Sequence, residues 1–400
     1  MSYTNITTDV LLRQYAERLA RAKSIALDTE FVSEHTYRPV LCLVQVVADG
    51  QPALIDALTI DDMGPFWQAV AEPGHETIVH AGRSEVEFCL QAVRRRPAGL
   101  FDVQIAAGLI GVEYPAAYST LASKLLDRPP QKHETRTDWR RRPLSERQIR
   151  YSLDDVVHLP ALRHKIRNQL EKLRRLAWLE EEMDAWQEEI ERAFAQERWW
   201  RVSGSSGLSS RSLEIVRHLW QWREAEAERR DRPARRVLRD DLIVELARRQ
   251  TADVKRIKAV RGLERGDLNR RLPELAKCIR RALAVPDQEL PKKIPRDETP
   301  HLSVLGQLLS AALGSICREA RLAPGLVGNP SDVRQWIAYH NGRNSRQDRK
   351  PPLLARGWRA EVIGQLLSEL MSGQKSIRIN DSASKHPLVF DSVNQEKRQR

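Results

Sequence analysis

Two carboxylates stand close together in the run Ser24–Phe31, SIALDTEF. Ile25 and Leu27 alternate with smaller residues, as in a short buried strand, and the run ends on Asp28 and Glu30. Residues two apart on a strand point to the same side, so the two acids would sit together. Like charges this close repel unless a cation stands between them, and hard oxygen ligands favour a divalent metal. For this pair taken alone, two solvated acids at a strand end are the alternative.

A phenol and a third carboxylate occur together much later in the chain. Tyr151 and Asp155 are four residues apart in a segment with an apolar stripe, so a helix would carry both on one face. Carboxylates can hold ions that clamp the attacking and leaving oxygens of a phosphodiester, while a phenol orients or deprotonates the water. Together with Asp28 and Glu30, these residues predict metal-assisted phosphodiester hydrolysis.

Several spaced motifs resemble the ribonuclease D family, a tyrosine-bearing branch of the DEDD exonuclease superfamily. The matching runs lie within about residues 1–290 and are Asp28-x-Glu30, Leu41-Cys-Leu-Val-Gln45-Val, His80-Ala-Gly, Arg136-Thr-Asp-Trp139 and Tyr151-x-x-x-Asp155. The resemblance implies that Asp28, Glu30 and Asp155 hold two divalent ions, Mg²⁺ or Mn²⁺, and that Tyr151 positions the water. It also implies a ribonuclease-H-like α/β exonuclease domain, with a mixed sheet flanked by helices.

One position departs from the family pattern. An aspartate usually follows His-Ala-Gly shortly afterwards, and this chain has Glu85 there. The longer side chain keeps the charge but moves the oxygens by about 1.5 Å, so we expect Glu85 to be a metal ligand in an altered site. We expect nucleic-acid contacts from four further residues. These are Gln45, His80, Lys132 and Arg136.

Composition limits the class of protein. The chain of 400 residues is long enough for two or three domains. Its cysteines are scattered without a C-x-x-C, which predicts buried free thiols in a reducing compartment. The N-terminus shows no signal peptide and no run could span a membrane, so we expect a cytoplasmic protein. No phosphate-binding G-x-x-x-x-G-K-[ST] loop is present, so we expect no nucleotide cofactor, and we expect a monomer.

The net charge of +12 is unevenly distributed. Residues 1–200 carry 26 Lys and Arg against 30 Asp and Glu, whereas residues 201–285 carry 22 against 12 and residues 286–400 carry 18 against 12. A basic block attached to an acidic, metal-gathering part predicts a polyanionic substrate. A merely solvated basic surface is the alternative.

The pattern of apolar residues and linkers predicts the domain organisation. Residues 1–200 contain strands followed by helices, with a helix expected over 145–163 and a long charged helix over 164–200. A Gly/Ser-rich linker over 202–210 precedes a small all-α bundle over 210–288 that resembles the helicase-and-ribonuclease-D C-terminal (HRDC) domain. We expect a second HRDC-like bundle over 300–375 and a disordered basic tail over 376–400.

Together with the resemblance, these features predict a 3′→5′ exoribonuclease that releases nucleoside 5′-monophosphates. By resemblance, the substrates and partners would be tRNA precursors and other small structured RNAs. Two alternatives stay open at this point. The same chemistry could act on DNA, since no motif reads a 2′-hydroxyl, or the chain could bind RNA through a metal site that no longer cleaves.

Overall fold

A mixed β-sheet organises the first half of the chain. The structure, a computed structural model, describes residues 2–128, 137–263, 266–292, 301–342, 351–384 and 386–393, with only the backbone for 301–303. The strands of this sheet are β1 (Thr4–Ile6), β2 (Ser24–Val32), β3 (Val40–Ala48), β4 (Gln51–Ile55), β5 (Glu76–Val79) and β6 (Leu100–Asp102). Their order is β1-β4-β3-β2-β5-β6, with β2 antiparallel to β3 and parallel to β5. The central strand β2 is therefore covered on both edges.

Helices cover both faces of the sheet. They are α1 (Asp9–Leu19), α2 (Gly64–Ala71), α3 (Arg83–Val93), α4 (Val103–Gly108), α5 (Tyr118–Leu126), α6 (Glu146–Val157), α7 (Leu159–Lys172) and α8 (Leu176–Ala195). Ile25 and Leu27 of β2 pack with α1, α2 and α3, whereas Ala26 faces the core formed with α4 to α7. This alternation along β2 decides which helix each polar residue at its end will meet.

The predicted α/β class is confirmed, with two local differences. Strand β1 was not predicted, because three residues with two polar side chains give too short a pattern. The helix predicted over 145–163 is divided at His158 into α6 and α7. Pro160 lies in the first turn of α7, where its missing N–H leaves no hydrogen bond unmade, while inside one continuous helix it would.

A separate helical bundle follows the exonuclease fold. After a 3₁₀ turn (Trp199–Arg201), its helices are α9 (Ser210–Arg229), α10 (Ala234–Val237), α11 (Asp240–Arg249), α12 (Val254–Lys258) and α13 (Gly266–Ala284). They enclose a core of their own, rich in Leu, Ile and Val. The Gly/Ser-rich segment predicted as a linker packs onto this bundle, because Val202 and Leu208 are buried in its core.

The C-terminal helices are joined to the exonuclease domain. They are α14 (His301–Glu319), α15 (Pro324–Val327), α16 (Pro330–His340), α17 (Gly357–Arg359) and α18 (Gln365–Met371), with 3₁₀ turns at Asp287–Glu289 and Leu353–Ala355 and a π-helical turn at Ala360–Gly364. Their apolar side chains form one continuous cluster with those of α4 to α8. The Ala323 N–H donates to the Gly108 carbonyl at 2.8 Å, and Trp358 stacks on Trp178 with ring centroids 5.3 Å apart. The HRDC-like character of this region stays a prediction, but its core is shared.

The prediction of a disordered tail from residue 376 is wrong for most of its length. Strands β7 (Lys375–Ile379) and β8 (Leu388–Ser392) form an antiparallel pair, in which Ile377 faces Phe390. Phe390 packs against the shared core, and Lys375 pairs with Glu369 of α18 at 2.9 Å. The alternating pattern of these short strands was not recognised because polar residues surround it. Residues 394–400 lie outside the described part of the chain.

No helix in the described ranges is both long and apolar enough to cross a membrane. The prediction of a cytoplasmic location itself stays a prediction.

One buried ion pair ties the C-terminal helices to α8, and its loss should destabilise the protein. Arg359, whose side chain is 8% exposed, donates to both Glu182 oxygens at 2.6 and 2.9 Å and to the Leu326 and Val327 carbonyls. Arg359→Ala leaves the Glu182 carboxylate buried without this partner. We expect the free energy of unfolding to fall by about 3–5 kcal/mol, measured by urea denaturation.

The matched control is Arg356→Ala, since Arg356 is exposed and, among the described residues, its side chain hydrogen-bonds only to the Pro352 carbonyl, at 3.4 Å. Its cost should stay within about 0.5 kcal/mol. Equal losses for the two variants would contradict the role of the buried pair.

Candidate active site

The first two acids lie where β2 ends. Asp28 and Glu30 follow the fully buried Ile25, Ala26 and Leu27, and the register with β3 shifts immediately after Glu30. Because Ala26 faces α4 to α7, the two-residue period points Asp28 and Glu30 to the same side of the sheet. The predicted common orientation of the two carboxylates follows from this register.

Helix α6 brings the other two residues to the strand end. A capping box starts the helix, in which the Ser145 hydroxyl accepts from the Gln148 N–H at 3.2 Å and the Gln148 side chain accepts from the Ser145 N–H at 2.9 Å. Leu153 and Val156 anchor the helix in two apolar clusters. The helix is thus fixed in both register and rotation, which aims the face bearing Tyr151 and Asp155 at β2.

Carboxylate oxygens of Asp28, Glu30 and Asp155 all lie within 4.8 Å of one another. The Tyr151 hydroxyl hydrogen-bonds to the Asp155 carboxylate, and its ring lies 6.1 Å from that of Trp139. The structure therefore brings together the four residues that the sequence placed at the centre of the chemistry.

Burial and mutual repulsion make this cluster hard to ionise. Burial, followed by the charges of Glu85, Asp155 and Glu30, raises the pKa of Asp28 well above its usual value. Burial and the charges of Asp155 and Glu85 raise the pKa of Glu30 to about 8. Within the described ranges, no Lys or Arg forms an ion pair with Asp28 or Glu30. A donor set of half-buried carboxylate oxygens from three converging acids fits a hard divalent cation.

Gln45 lies beneath Asp28 and not along a substrate path. It faces Asp28 across the β2–β3 ladder, is fully buried, and its Nε2 donates to Asp28 Oδ2 at 2.8 Å. The nucleic-acid contact predicted for Gln45 does not agree with this placement, because the side chain has no exposed surface to offer. Gln45 instead fixes one oxygen of Asp28, and its own Oε1 has no hydrogen-bond partner among the described residues.

Glu85 lies close to the cluster without being one of its three mutually adjacent acids. It sits in the first turn of α3, is 4% exposed, and accepts a hydrogen bond of 2.5 Å from the Thr29 hydroxyl. Thr29 points to the face of the sheet opposite Asp28 and Glu30, so this contact draws Glu85 towards α3's side of β2. Burial raises the pKa of Glu85 to about 7 despite the Thr29 hydrogen bond. Sequence reasoning missed Thr29, whose only signal was its position between the two acids.

The remaining predicted contacts divide into two groups. One ring nitrogen of His80 lies 2.9 Å from the Ala116 carbonyl and the ring meets Tyr118 edge-on, so His80 makes internal contacts, and its role towards nucleic acid stays a prediction. Lys132 and Arg136 lie outside the described residues.

An open groove of about 650 Å³ starts at Glu30. Its walls are Phe31 to His35 on one side and Thr137 to Arg140 on the other. The loop after β2 also contacts the helical bundle, because the Asp231 carboxylate accepts from the Tyr37 N–H at 3.1 Å and Arg38 pairs with Glu228 at 2.8 Å. The basic bundle is therefore held beside the acidic cluster.

Comparison with known proteins places this geometry in a family. The 3′-5′ exonuclease family DNA_pol_A_exo1 matches residues 3–171, and the HRDC domain family matches residues 212–279. The chain is 31% identical over 384 residues to a ribonuclease D of Gluconacetobacter diazotrophicus, with 95% of each chain covered. It is 32% identical to a ribonuclease D of Zymomonas mobilis over 388 residues, covering 94% of this chain and 95% of the relative.

The chain belongs to the ribonuclease D family. The fold agrees with the crystal structure of Escherichia coli RNase D, described as an exoribonuclease involved in structured RNA processing, with a TM-score of 0.79 and 25% identity over 93% of this chain and 99% of that one. As a ribonuclease D, the protein is a metal-dependent 3′→5′ exoribonuclease. The predictions of family, fold class and enzyme class are confirmed.

The raised carboxyl pKa values predict how the stability of this ribonuclease D depends on pH without metal. Glu30 and Glu85 hold protons in the folded state up to about pH 8 and 7, whereas the unfolded chain releases them near pH 4.5. Between these values the folded state binds more protons, so the free energy of unfolding should fall as pH rises from 5 to 8.5. Urea unfolding in the presence of a chelator measures this slope.

Two controls test whether the pH dependence of the unfolding free energy comes from the acidic cluster and not from the rest of the protein. Added Mn²⁺ should reduce the slope, and Glu30→Gln should reduce it in chelator because that site no longer titrates. A metal-free stability that is flat or rises over this range would contradict the pKa assignment.

Proposed function

We propose that this ribonuclease D trims the 3′ ends of tRNA precursors and other small structured RNAs with two divalent ions, Mg²⁺ or Mn²⁺, and acts as a monomer. The released products are nucleoside 5′-monophosphates. The observation that carries this proposal is the convergence of Asp28, Glu30 and Asp155 within 4.8 Å, with Tyr151 beside them. No nucleotide cofactor takes part.

Each residue of the site has a separate task. Asp28, Glu30 and Asp155 would hold the ions, which would supply activation of water and stabilisation of the leaving 3′ oxygen. Gln45 keeps Asp28 in one orientation through its 2.8 Å hydrogen bond. Burial and the charge of Asp155 raise the pKa of Tyr151 far above neutrality, so the phenol keeps its proton and orients the water through its hydroxyl.

Electrostatics support a polyanion such as RNA as the occupant of the groove. The bundle over 201–285 has an excess of ten positive charges, and its contacts with Tyr37 and Arg38 hold it next to the groove at Glu30. The arginines of the bundle differ in how accessible they are to a phosphate. Arg223 is 5% exposed and pairs with Asp240 at 2.5 Å, whereas Arg235, Arg236 and Arg248 are exposed and suit phosphate contacts.

The experiment compares 3′-extended tRNA and a DNA of the same sequence, with Mn²⁺, Mg²⁺ or chelator. We expect stepwise shortening of the RNA that needs metal and that drops by at least about 10³-fold in Asp155→Asn, because the substitution removes one carboxylate oxygen from the cage. Tyr151→Phe should lower the rate while leaving metal dependence intact. Gel analysis of the 3′ ends and chromatography of the mononucleotides provide the readout.

Each contrary result identifies an alternative. Equal shortening of the DNA would contradict the proposed specificity for RNA. RNA binding without metal-dependent shortening would indicate that the metal site is impaired. Unchanged activity in Asp155→Asn would refute the proposed cage, and size-exclusion chromatography with light scattering tests the monomer.

Glu85 is proposed as the fourth metal ligand, using the oxygen that Thr29 does not engage. Glu85→Gln keeps the length of the side chain and an oxygen for the Thr29 hydroxyl, but removes the charge. We expect the Mn²⁺ concentration for half-maximal activity to rise at least about tenfold, as for lost supporting contacts at metal sites. The matched control is Glu87→Gln on the same helix, where Glu87 is 40% exposed and pairs with Arg83.

The control should leave the Mn²⁺ dependence unchanged. If Glu85→Gln also leaves the Mn²⁺ dependence of activity unchanged but shifts the urea concentration of unfolding, Glu85 is a structural acid held by Thr29. The proposal then fails.

A further inference from the structure

A cleft with a volume of about 570 Å³ lies between the exonuclease domain and the helical bundle. One wall is a single face of α3, whose lining residues are spaced three or four apart. The facing wall includes Trp220 and Glu224, one turn apart on α9, and residues 193–198 at the end of α8 complete the lining. The lining residues of α3 and its C-cap are Ser84, Glu87, Phe88, Gln91 and Arg94.

The cleft starts beside the catalytic acids. Phe31 and Ser84 line it, and they are the chain neighbours of Glu30 and Glu85. Arg94, the C-cap of α3, also lines it and stands nine residues beyond Glu85. Nine residues of helix extend about 13 Å, so a strand that leaves the metal site along α3 would pass through this cleft.

Aromatic side chains from both domains line the cleft. Phe31 meets the buried Phe88 edge-on, with ring centroids 5.6 Å apart. Phe194 comes from the end of α8, and Trp220 comes from the bundle. Trp220 is half-buried, and its indole N–H is open to solvent and has no hydrogen-bond partner among the residues described. Flat apolar rings with a reachable N–H suit the face and edge of a nucleobase.

Two positive side chains of the cleft are available to a ligand. Neither Arg94 nor Arg198 forms an ion pair within the described ranges. The Arg94 guanidinium lies 5.7 Å from the centre of the Phe194 ring, and Arg198 donates to the Ala193 carbonyl at 2.8 Å. Arg38, the third cation of the lining, is occupied by its ion pair with the bundle.

The acids of the same cleft are largely engaged. Glu87 pairs with Arg83 at 3.1 Å, and Glu224 pairs with Arg223 at 3.2 Å. Glu197 accepts a hydrogen bond of 2.7 Å from a glutamine amide of α9. Two unpaired guanidinium groups therefore stand against one carboxylate without a cationic partner. This balance favours an anionic ligand, and the aromatic lining favours one that carries flat rings.

We propose that this cleft holds unpaired nucleotides of the RNA on the 5′ side of the cut, an inference that rests on the proposed RNA substrate. An enzyme that removes single nucleotides from the 3′ end has only one nucleotide on the 3′ side of the scissile bond. A second subsite can therefore take only upstream nucleotides. A base stacks on Trp220, and neighbouring phosphates pair with Arg94 and Arg198. Bases inside a duplex have no free face, so the ligand is single-stranded.

The test uses the full-length protein and two 5′-fluorescein stem-loop RNAs, with 3′ extensions of two or eight adenosines. Fluorescence anisotropy in chelator measures binding without cleavage, so a failure of the proposed RNA processing leaves this readout intact. We expect Trp220→Ala to raise the Kd of the longer RNA about tenfold, as for one lost stacked base. The Kd of the shorter RNA should not change, because its extension ends before the cleft.

Arg94→Ala should also weaken binding of the longer RNA. The loss of one phosphate contact should reduce the slope of log Kd against log salt concentration by about 0.7. A slope equal to that of the unaltered protein would contradict a phosphate contact at Arg94.

Matched variants separate stacking in the cleft from damage to the bundle and from general charge. Trp220→Phe keeps an aromatic ring and should retain most of the affinity. Trp200→Ala removes an exposed aromatic ring outside the cleft, and Arg192→Ala removes an exposed cation of α8 outside it. Both controls should leave binding of the two RNAs unchanged.

Four results would overturn the proposal. They are equal weakening by Trp220→Phe and Trp220→Ala, equal weakening by the control and cleft variants, and an equal response of the two RNAs to Trp220→Ala. The fourth is displacement of the longer RNA by adenosine 5′-monophosphate with the same sensitivity to Trp220→Ala, which would make the cleft a mononucleotide site.

Discussion

The mutual repulsion of half-buried carboxylates is the constraint on which this structure depends. Asp28, Glu30 and Asp155 come within 4.8 Å of one another at the end of β2, and partial burial raises the pKa of both β2 acids. Such an arrangement works against folding in the absence of a counter-charge. It persists because β2 is paired on both sides and α6 is held by its cap and by Leu153 and Val156. The packing of the fold offsets the repulsion between the carboxylates, and a bound cation would relieve that repulsion.

Polar residues behind the cluster determine the positions of the acids. Gln45 bonds Asp28 from the neighbouring strand, Thr29 bonds Glu85 from the opposite face, and Asp102 accepts from the Ala81, Gly82 and Gln104 N–H groups. By accepting from the Ala81 and Gly82 N–H groups, Asp102 ties β6 to the turn that begins α3, the helix that carries Glu85. The metal cage thus rests on strands and helix ends rather than on a loop, which favours a fixed geometry.

Much of this site could be predicted from the sequence because its spacing is local. Asp28-x-Glu30 on a strand and Tyr151-x-x-x-Asp155 on a helix each fix which side chains share a face. The position of Gln45 could not be predicted in this way, since its burial depends on the β2–β3 register and on α6 above it. The basic composition of the bundle also does not show which arginines are available to phosphate, since Arg223 pairs with Asp240 at 2.5 Å in the folded bundle. Long-range pairing and burial, which spacing does not encode, account for these differences.

The core of the C-terminal helices has a consequence for how the protein comes apart. Side chains of α14 to α18 continue the apolar cluster of α4 to α8, and Arg175 donates to the Leu109 and Arg321 carbonyls at 2.7 and 2.8 Å across that junction. The HRDC bundle, which precedes these helices in the chain, keeps its own core. Nicking the backbone between α13 and α14 would therefore yield two fragments that stay associated through buried surface, so the last hundred residues behave as a non-covalent subunit of the nuclease rather than a detachable appendage.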